Sequence, residues 1–142
     1  MAYRVMIVDD SSTMRAVIKK AIKASGFDVD DFYEAGDGKV ALDLLQSEWL
    51  DLIITDYNMP NMDGMELLER VKQDDTLSSI PVIFISTEGS EKRINEFMTK
   101  GATDYIKKPF TPEILKSKLN RIMGEPENGP GNNDQDNEGL DF

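Results

Sequence analysis

Four apolar runs in this chain each break off at a residue that can do chemistry. Val5-Met-Ile-Val8 ends in Asp9-Asp10, and Leu52-Ile-Ile54 ends in Thr55-Asp56. Pro81-Val-Ile-Phe-Ile85 ends in Ser86-Thr87, and Tyr105-Ile-Lys-Lys108 ends in a lysine before Pro109-Phe110. If the runs are parallel strands, their carboxyl ends share the edge where open α/β sheets bind ligands. Three carboxylates brought together there repel, and each resists ionisation unless a cation neutralises it. A cluster of oxygen donors suits a hard divalent ion, and Mg²⁺ favours a few carboxylates plus waters and a phosphate. The four ends therefore offer an acceptor carboxylate, a cation cradle, and a hydroxyl and an ammonium for a phosphoryl group. Singly, each residue has a plainer role. Asp56 is a strand-end acid, Asp9-Asp10 a pair favoured by a helix N-terminus, Thr87 a turn cap and Lys108 a solvated lysine. Only the arrangement argues otherwise.

The intervening sequence supplies the elements that must position these ends. Ser11 and Ser12 are candidate N-caps for a helix whose face is Met14, Val17, Ile18, Ala21 and Ile22, stopped by Gly26. Residues 29–35 form a weaker, acid-rich strand suited to a sheet edge, and Gly36-Asp37-Gly38 reads as a turn. Val40, Ala41, Leu44 and Leu45 mark a second helix, with Trp49 after it. The central strand follows, and Pro60 then biases Met59 away from helix. Asp63-Gly64 signals a turn before a third helix with Met65, Leu68 and Val71 inward. Ile94, Phe97 and Met98 mark a short fourth helix ended by Gly101. Tyr105 to Lys107 is the last strand. Thr111-Pro112-Glu113 opens the final helix, whose face is Leu115, Leu119, Ile122 and Met123. Strand and helix alternate throughout, so the fold class is α/β, a five-stranded parallel sheet with helices on both faces.

Composition narrows the function. The formal charge of −11 over 142 residues argues against nucleic acid as a partner. Cysteine and histidine are both absent. The chain therefore cannot carry a phosphohistidine, and it lacks the ligands expected of a zinc site. No apolar run approaches the ~20 residues of a membrane span, and no signal peptide leads the chain. A cytoplasmic protein with no membrane partner is expected. Composition changes at Gly124: residues 125–142 hold six acids and no bases, which leaves −5 on the rest. Residues 1–124 are expected to form one domain, and 125–142 an acidic disordered tail.

The pattern Asp9-Asp10, Asp56-Tyr-Asn-Met-Pro-Asn-Met-Asp-Gly64, Thr87 and Lys108-Pro109-Phe110 resembles the receiver domain of two-component response regulators. Ser12-Thr-Met-Arg15 and Asn58 to Gly64 are similar more narrowly to its chemotaxis regulators. The resemblance covers about residues 3–124, with the motifs in the family's order. It implies the flavodoxin-like (βα)5 fold with strand order 2-1-3-4-5. It also implies that Asp56 accepts a phosphoryl group from the phosphohistidine of a sensor histidine kinase. Asp10 is then a direct Mg²⁺ ligand, Asp9 its water-mediated support, and Asn58 a donor through its backbone carbonyl, with Asp56 completing the protein ligands. Thr87 hydrogen-bonds a phosphoryl oxygen, Lys108 precedes a cis peptide bond, and Tyr105 rotates inward as Thr87 moves. Output is expected through the face of helix four, strand five and helix five, from a stand-alone monomer acting by protein contact in chemotaxis or motility. The flagellar motor switch and a phosphatase are candidate partners. Such a domain catalyses its own phosphorylation and dephosphorylation, yet is a switch rather than a conventional enzyme.

A phosphorelay intermediate and a receiver-like module that needs no phosphorylation are the alternatives within this reading. A phosphatase of the haloacid dehalogenase type needs a general acid two residues after its nucleophile, which Asn58 cannot be. An FMN carrier of flavodoxin type would find its phosphate repelled by Asp9-Asp10. Two departures from the family stand at the site: Glu88 replaces the usual small residue after Thr87, and Gly89 stands where chemotaxis regulators carry an acid.

Overall fold

The computed structural model describes residues 2–124; the expected acidic tail lies outside the described residues. Strands β1 (Tyr3–Val8), β2 (Val29–Ala35), β3 (Leu52–Thr55), β4 (Val82–Ser86) and β5 (Asp104–Lys107) alternate with helices α1 (Ser12–Ser25), α2 (Gly38–Leu45), α3 (Gly64–Gln73), α4 (Glu91–Thr99) and α5 (Pro112–Met123). All strands pair in parallel, in the order β2-β1-β3-β4-β5.

The apolar runs are continuous because both faces of the central strands are covered. Every residue of β3 and β4 is buried. Successive side chains point to opposite faces, so each strand feeds two cores. Met6, Val8, Ile53, Val82 and Phe84 join Ala41, Leu67, Leu68, Val71 and Phe97 of α2, α3 and α4. Val5, Ile7, Leu52, Ile54, Ile83 and Ile85 join Ile18, Ile22, Leu115 and Leu119 of α1 and α5. The edge strand β2 alone keeps exposed acids, Asp30 and Asp31 among them.

Register aligns the chemistry. Val8 pairs with Thr55, so Asp9 and Asp56 leave the sheet side by side. Ser86 pairs with Lys107, which sets Thr87 level with Lys108.

Each helix start follows from a cap that satisfies an otherwise orphaned N–H. Ser11, Asp37, Asp63, Ser90 and Thr111 accept from Met14, Val40, Glu66, Arg93 and Ile114. Gly26 ends α1 in the left-handed region, at φ 84°. Some boundaries differ from the apolar pattern. Strand β1 starts at Tyr3, whose ring stacks on Phe27 at 5.1 Å. Helix α4 starts at Glu91, a turn before its first apolar residue, because Ser90 caps it. Ile122 and Met123 are only partly buried, and Val40 and Met98, read as parts of apolar helix faces, are exposed.

Candidate functional site

Asp9, Asp10 and Asp56 meet at the carboxyl edge of the sheet, with carboxylate oxygens within 4.8 Å of one another. Their surroundings differ. Asp9 is buried, and its Oδ1 accepts from the Ser11 N–H at 2.9 Å. Its Oδ2 lies 3.3 Å from Lys108 Nζ. Burial pushes the Asp9 carboxyl above its ordinary value, Asp56 adding to the effect while the Ser11 N–H and Lys108 oppose it. Asp56 is half-buried; its Oδ1 accepts from the Tyr57 N–H at 2.7 Å, and its Oδ2 lies 3.6 Å from Lys108 Nζ. Asp10 is exposed. One half-buried ammonium is thus shared between Asp9 and Asp56, and Asp10 is left to water.

The backbone around Asp56 is held closely. Its N–H donates to Val8 O at 2.9 Å, and the Thr55 hydroxyl donates to its carbonyl at 2.8 Å. A Cβ on Gly64 would stand 2.2 Å from the Asp56 carbonyl oxygen. Gly64 therefore does more than turn the chain: it lets the start of α3 pack on the backbone of Asp56.

The donor set fits a small hard cation. The three carboxylates converge to within 4.8 Å of one another, near enough to face one ion directly or through a water. All are oxygen donors and none is nitrogen or sulfur, which suits Mg²⁺ over a transition metal. Asn58 lies two residues past Asp56 in the exposed part of the following loop.

At the other end of the site, Thr87 is exposed where β4 stops. Tyr105 is buried, and its hydroxyl donates to the carbonyls of Ser86 (3.2 Å) and Glu88. The aromatic expected to rotate thus points inward here and holds the two residues that flank Thr87. Burial first, then Glu88 and Asp56, raises the Tyr105 hydroxyl above its ordinary pKa. The Lys108–Pro109 bond is cis.

Two features escape sequence reasoning. A chain of rings runs from the loop after Asp56 to β5: Tyr57 to Phe97 at 5.5 Å, and Phe97 to both Phe84 (4.0 Å) and Tyr105 (5.7 Å). Above it, the Arg93 guanidinium lies 4.5 Å over the Tyr57 ring, with its Nε 3.8 Å from the Glu88 carboxylate. Nothing in the spacing of Tyr57, Glu88 and Arg93 announces this cluster. A Cβ on Gly89 would stand 2.9 Å from the Lys107 side chain and 3.2 Å from the Tyr105 hydroxyl. A side chain here would have to displace the flexible Lys107 stem and crowd the inward Tyr105 hydroxyl.

The chain matches the response regulator receiver domain over residues 5–120. It is 41% identical over 122 residues to a chemotaxis protein CheY homolog of Campylobacter jejuni, covering 85% of this chain and 92% of that one. Chemotaxis protein CheY-3 of Vibrio cholerae is 40% identical over 120 residues, 84% of this chain and 91% of its own length. The solved structure of the chemotaxis response regulator CheY4 of Vibrio cholerae superposes with a TM-score of 0.74 at 34% identity, covering 86% of this chain and 99% of that one.

Proposed function

The chain belongs to the response regulator receiver domain family, and on that premise we propose that it takes a phosphoryl group onto Asp56 from a histidine kinase. The observation that carries the proposal is the register that sets Asp9 and Asp56 level, with Lys108 Nζ 3.3 and 3.6 Å from their carboxylates. An Asp56 oxygen attacks the phosphorus of a phosphohistidine; the O–P bond forms as the N–P bond breaks, and its electron pair stays on the imidazole. Lys108, already within reach of Asp56, moves onto the equatorial phosphoryl oxygens, where charge is stabilised without reorganisation of water. Asp10, Asp56 and the Asn58 carbonyl would hold Mg²⁺, with Asp9 supporting through water, and the ion would supply neutralising positive charge to the same oxygens. Attack of water on the phosphorus of the acyl phosphate later restores Asp56.

The phosphoryl group carries roughly −1.5 to −2 charges where the Asp56 carboxylate carried −1, and it sets that charge beside Thr87. The Thr87 hydroxyl donates to a phosphoryl oxygen, and the segment from Ser86 to Glu88, to which Tyr105 is bonded, moves with it. The output would be a changed α4-β5-α5 face read by a protein partner in chemotaxis or motility, with the flagellar switch and a phosphatase as candidates. Support comes from the matches to chemotaxis homologues, which extend over nine-tenths of their length. Domain 1–124, monomeric and cytosolic, is the proposed switch. The test is to present the protein to a panel of phosphorylated histidine kinases. At least one kinase should empty rapidly with label appearing on wild type and not on Asp56→Asn. Label on both would move the acceptor elsewhere.

A further inference from the structure

The loop that follows Asp56 is tied to an element with no part in the chemistry above. Asp37 precedes helix α2, and its two carboxylate oxygens do separate work. Oδ1 accepts from the Val40 N–H at 2.9 Å, which is the helix cap. Oδ2 accepts from the Asn61 side-chain amide at 2.7 Å, which a cap does not need. Beside it, the Gly38 N–H donates to the Met62 carbonyl at 3.0 Å. A Cβ on Gly38 would stand 2.7 Å from Met62 Cγ and 2.9 Å from the Met62 carbonyl oxygen, so the two segments touch backbone to backbone. Asp37 and Met62 are both buried, at 8% and 6% exposure, while Asn61 itself is exposed, so the joint closes over the rim of the α2–loop contact. Asn61 bends the loop through a left-handed conformation, φ 65°, which asparagine tolerates better than other side chains.

We propose that Asp37 is a positioning residue for the cation site: through Asn61 it fixes the limb of the loop that carries the Asn58 carbonyl. The inference rests on the reading of Asp10, Asp56 and Asn58 as Mg²⁺ ligands. Asp56, at the near end of the loop, is held by Val8. The far end is closed by the Gly64 N–H bonding the Tyr57 carbonyl at 2.9 Å. Between these points, the donor carbonyl depends on whatever restrains residues 58–62. Mg²⁺ demands near-ideal octahedral geometry, and a loosened donor costs affinity even when every ligand is present. Partners bonded directly to a metal ligand are typically worth 10–100-fold in affinity; Asp37 acts one contact further out, so the low end of that range applies.

The test separates the joint from the cap. Asp37→Ser keeps an N-cap hydroxyl but is too short to reach Asn61. Asn61→Gly removes the same bond from the other side in a conformation glycine adopts freely. Asp37→Asn restores both contacts once the Asn61 amide turns over, since one oxygen accepts from Val40 and the amide donates to Asn61. Mg²⁺ affinity is measured by amide NMR titration on the full chain, with urea unfolding in EDTA as the check on folding. Asp37→Ser and Asn61→Gly should each weaken Mg²⁺ binding roughly tenfold. The double variant should be little worse than either, because the two changes remove one interaction. Asp37→Asn should bind nearly as wild type does. Wild-type affinity in Asp37→Ser, even with reduced stability, would overturn the proposal and leave Asp37 a helix cap. A wild-type protein that does not bind Mg²⁺ would overturn the cation site itself, and the joint's role with it.

Discussion

Replacing Asp10 with asparagine removes one of three carboxylates whose oxygens lie within 4.8 Å of one another, and the one without Lys108 beside it. At that separation a pair of unit charges costs about 3.5 kcal/mol at an effective dielectric near 20, and about 0.9 kcal/mol in water. Asp10 is exposed, so the lower figure governs each of its two pairs. Attraction to the N-terminus of α1 returns about 0.3–1 kcal/mol. The helix loses no cap, because Ser11 and not Asp10 accepts from Met14. Asp10→Asn should therefore be about 1 kcal/mol more stable than wild type in EDTA. With urea slopes of about 1–3 kcal/mol per molar, the unfolding midpoint rises by roughly 0.3–1 M. Excess Mg²⁺ should reverse the order. At a hundredfold excess over its dissociation constant a bound ion adds about 2.7 kcal/mol, which wild type gains and the variant largely forgoes. Urea titrations of both proteins, with EDTA and with Mg²⁺, give all four numbers. A variant less stable than wild type in EDTA, or stabilised equally by Mg²⁺, would refute the reasoning.

Three further outcomes follow from particular contacts. Glu88→Ala should speed phosphorylation by acetyl phosphate a few-fold by removing an anion from the mouth of the site, and Arg93→Ala should slow it by freeing that anion of its partner; equal rates for both would put the pair outside the donor's path. Burial works against the charge on Asp104, yet the Tyr105 N–H, Lys118 and Arg121 outweigh it and hold the carboxyl below its ordinary value. The stability this supplies is present above the unfolded carboxylate's pKa and is lost as pH falls through the lower folded value. Asp104→Asn should thus cost about 1–2 kcal/mol at neutral pH and progressively less below pH ~3.9, read as the difference in urea unfolding against pH. Gly64→Ala places a methyl 2.2 Å from the Asp56 carbonyl; a loss of 3 kcal/mol or more is expected, together with displaced amide signals for Asp56 and Tyr57.

Much of the sheet was legible because β1, β3 and β4 are buried on both faces, so their apolar runs end abruptly at the edge where the chemistry lies. Asp9 and Asp56 were legible for the same reason, since each stands at the end of an apolar run, whereas Lys108 was marked by its place before Pro109. What stayed hidden depends on contacts across elements. Asp37 reads as a turn residue, and only the fold shows that Asn61 reaches it across 24 positions of sequence. Arg93 has the ordinary look of a first-turn helix residue, yet it sits on Tyr57. The orientation of Tyr105 was equally out of reach, because a strand aromatic carries no mark of which way it turns. The crowding at Gly89, by the Lys107 stem and the Tyr105 hydroxyl, was likewise invisible before the fold.

The central claim is that Asp56 is the phosphoryl acceptor in a site that needs a divalent cation. Intact-mass analysis after incubation with acetyl phosphate tests it most directly. Wild type with Mg²⁺ should gain the mass of one phosphoryl group; wild type in EDTA and Asp56→Asn with Mg²⁺ should gain none. Equal labelling of Asp56→Asn and wild type would contradict the account.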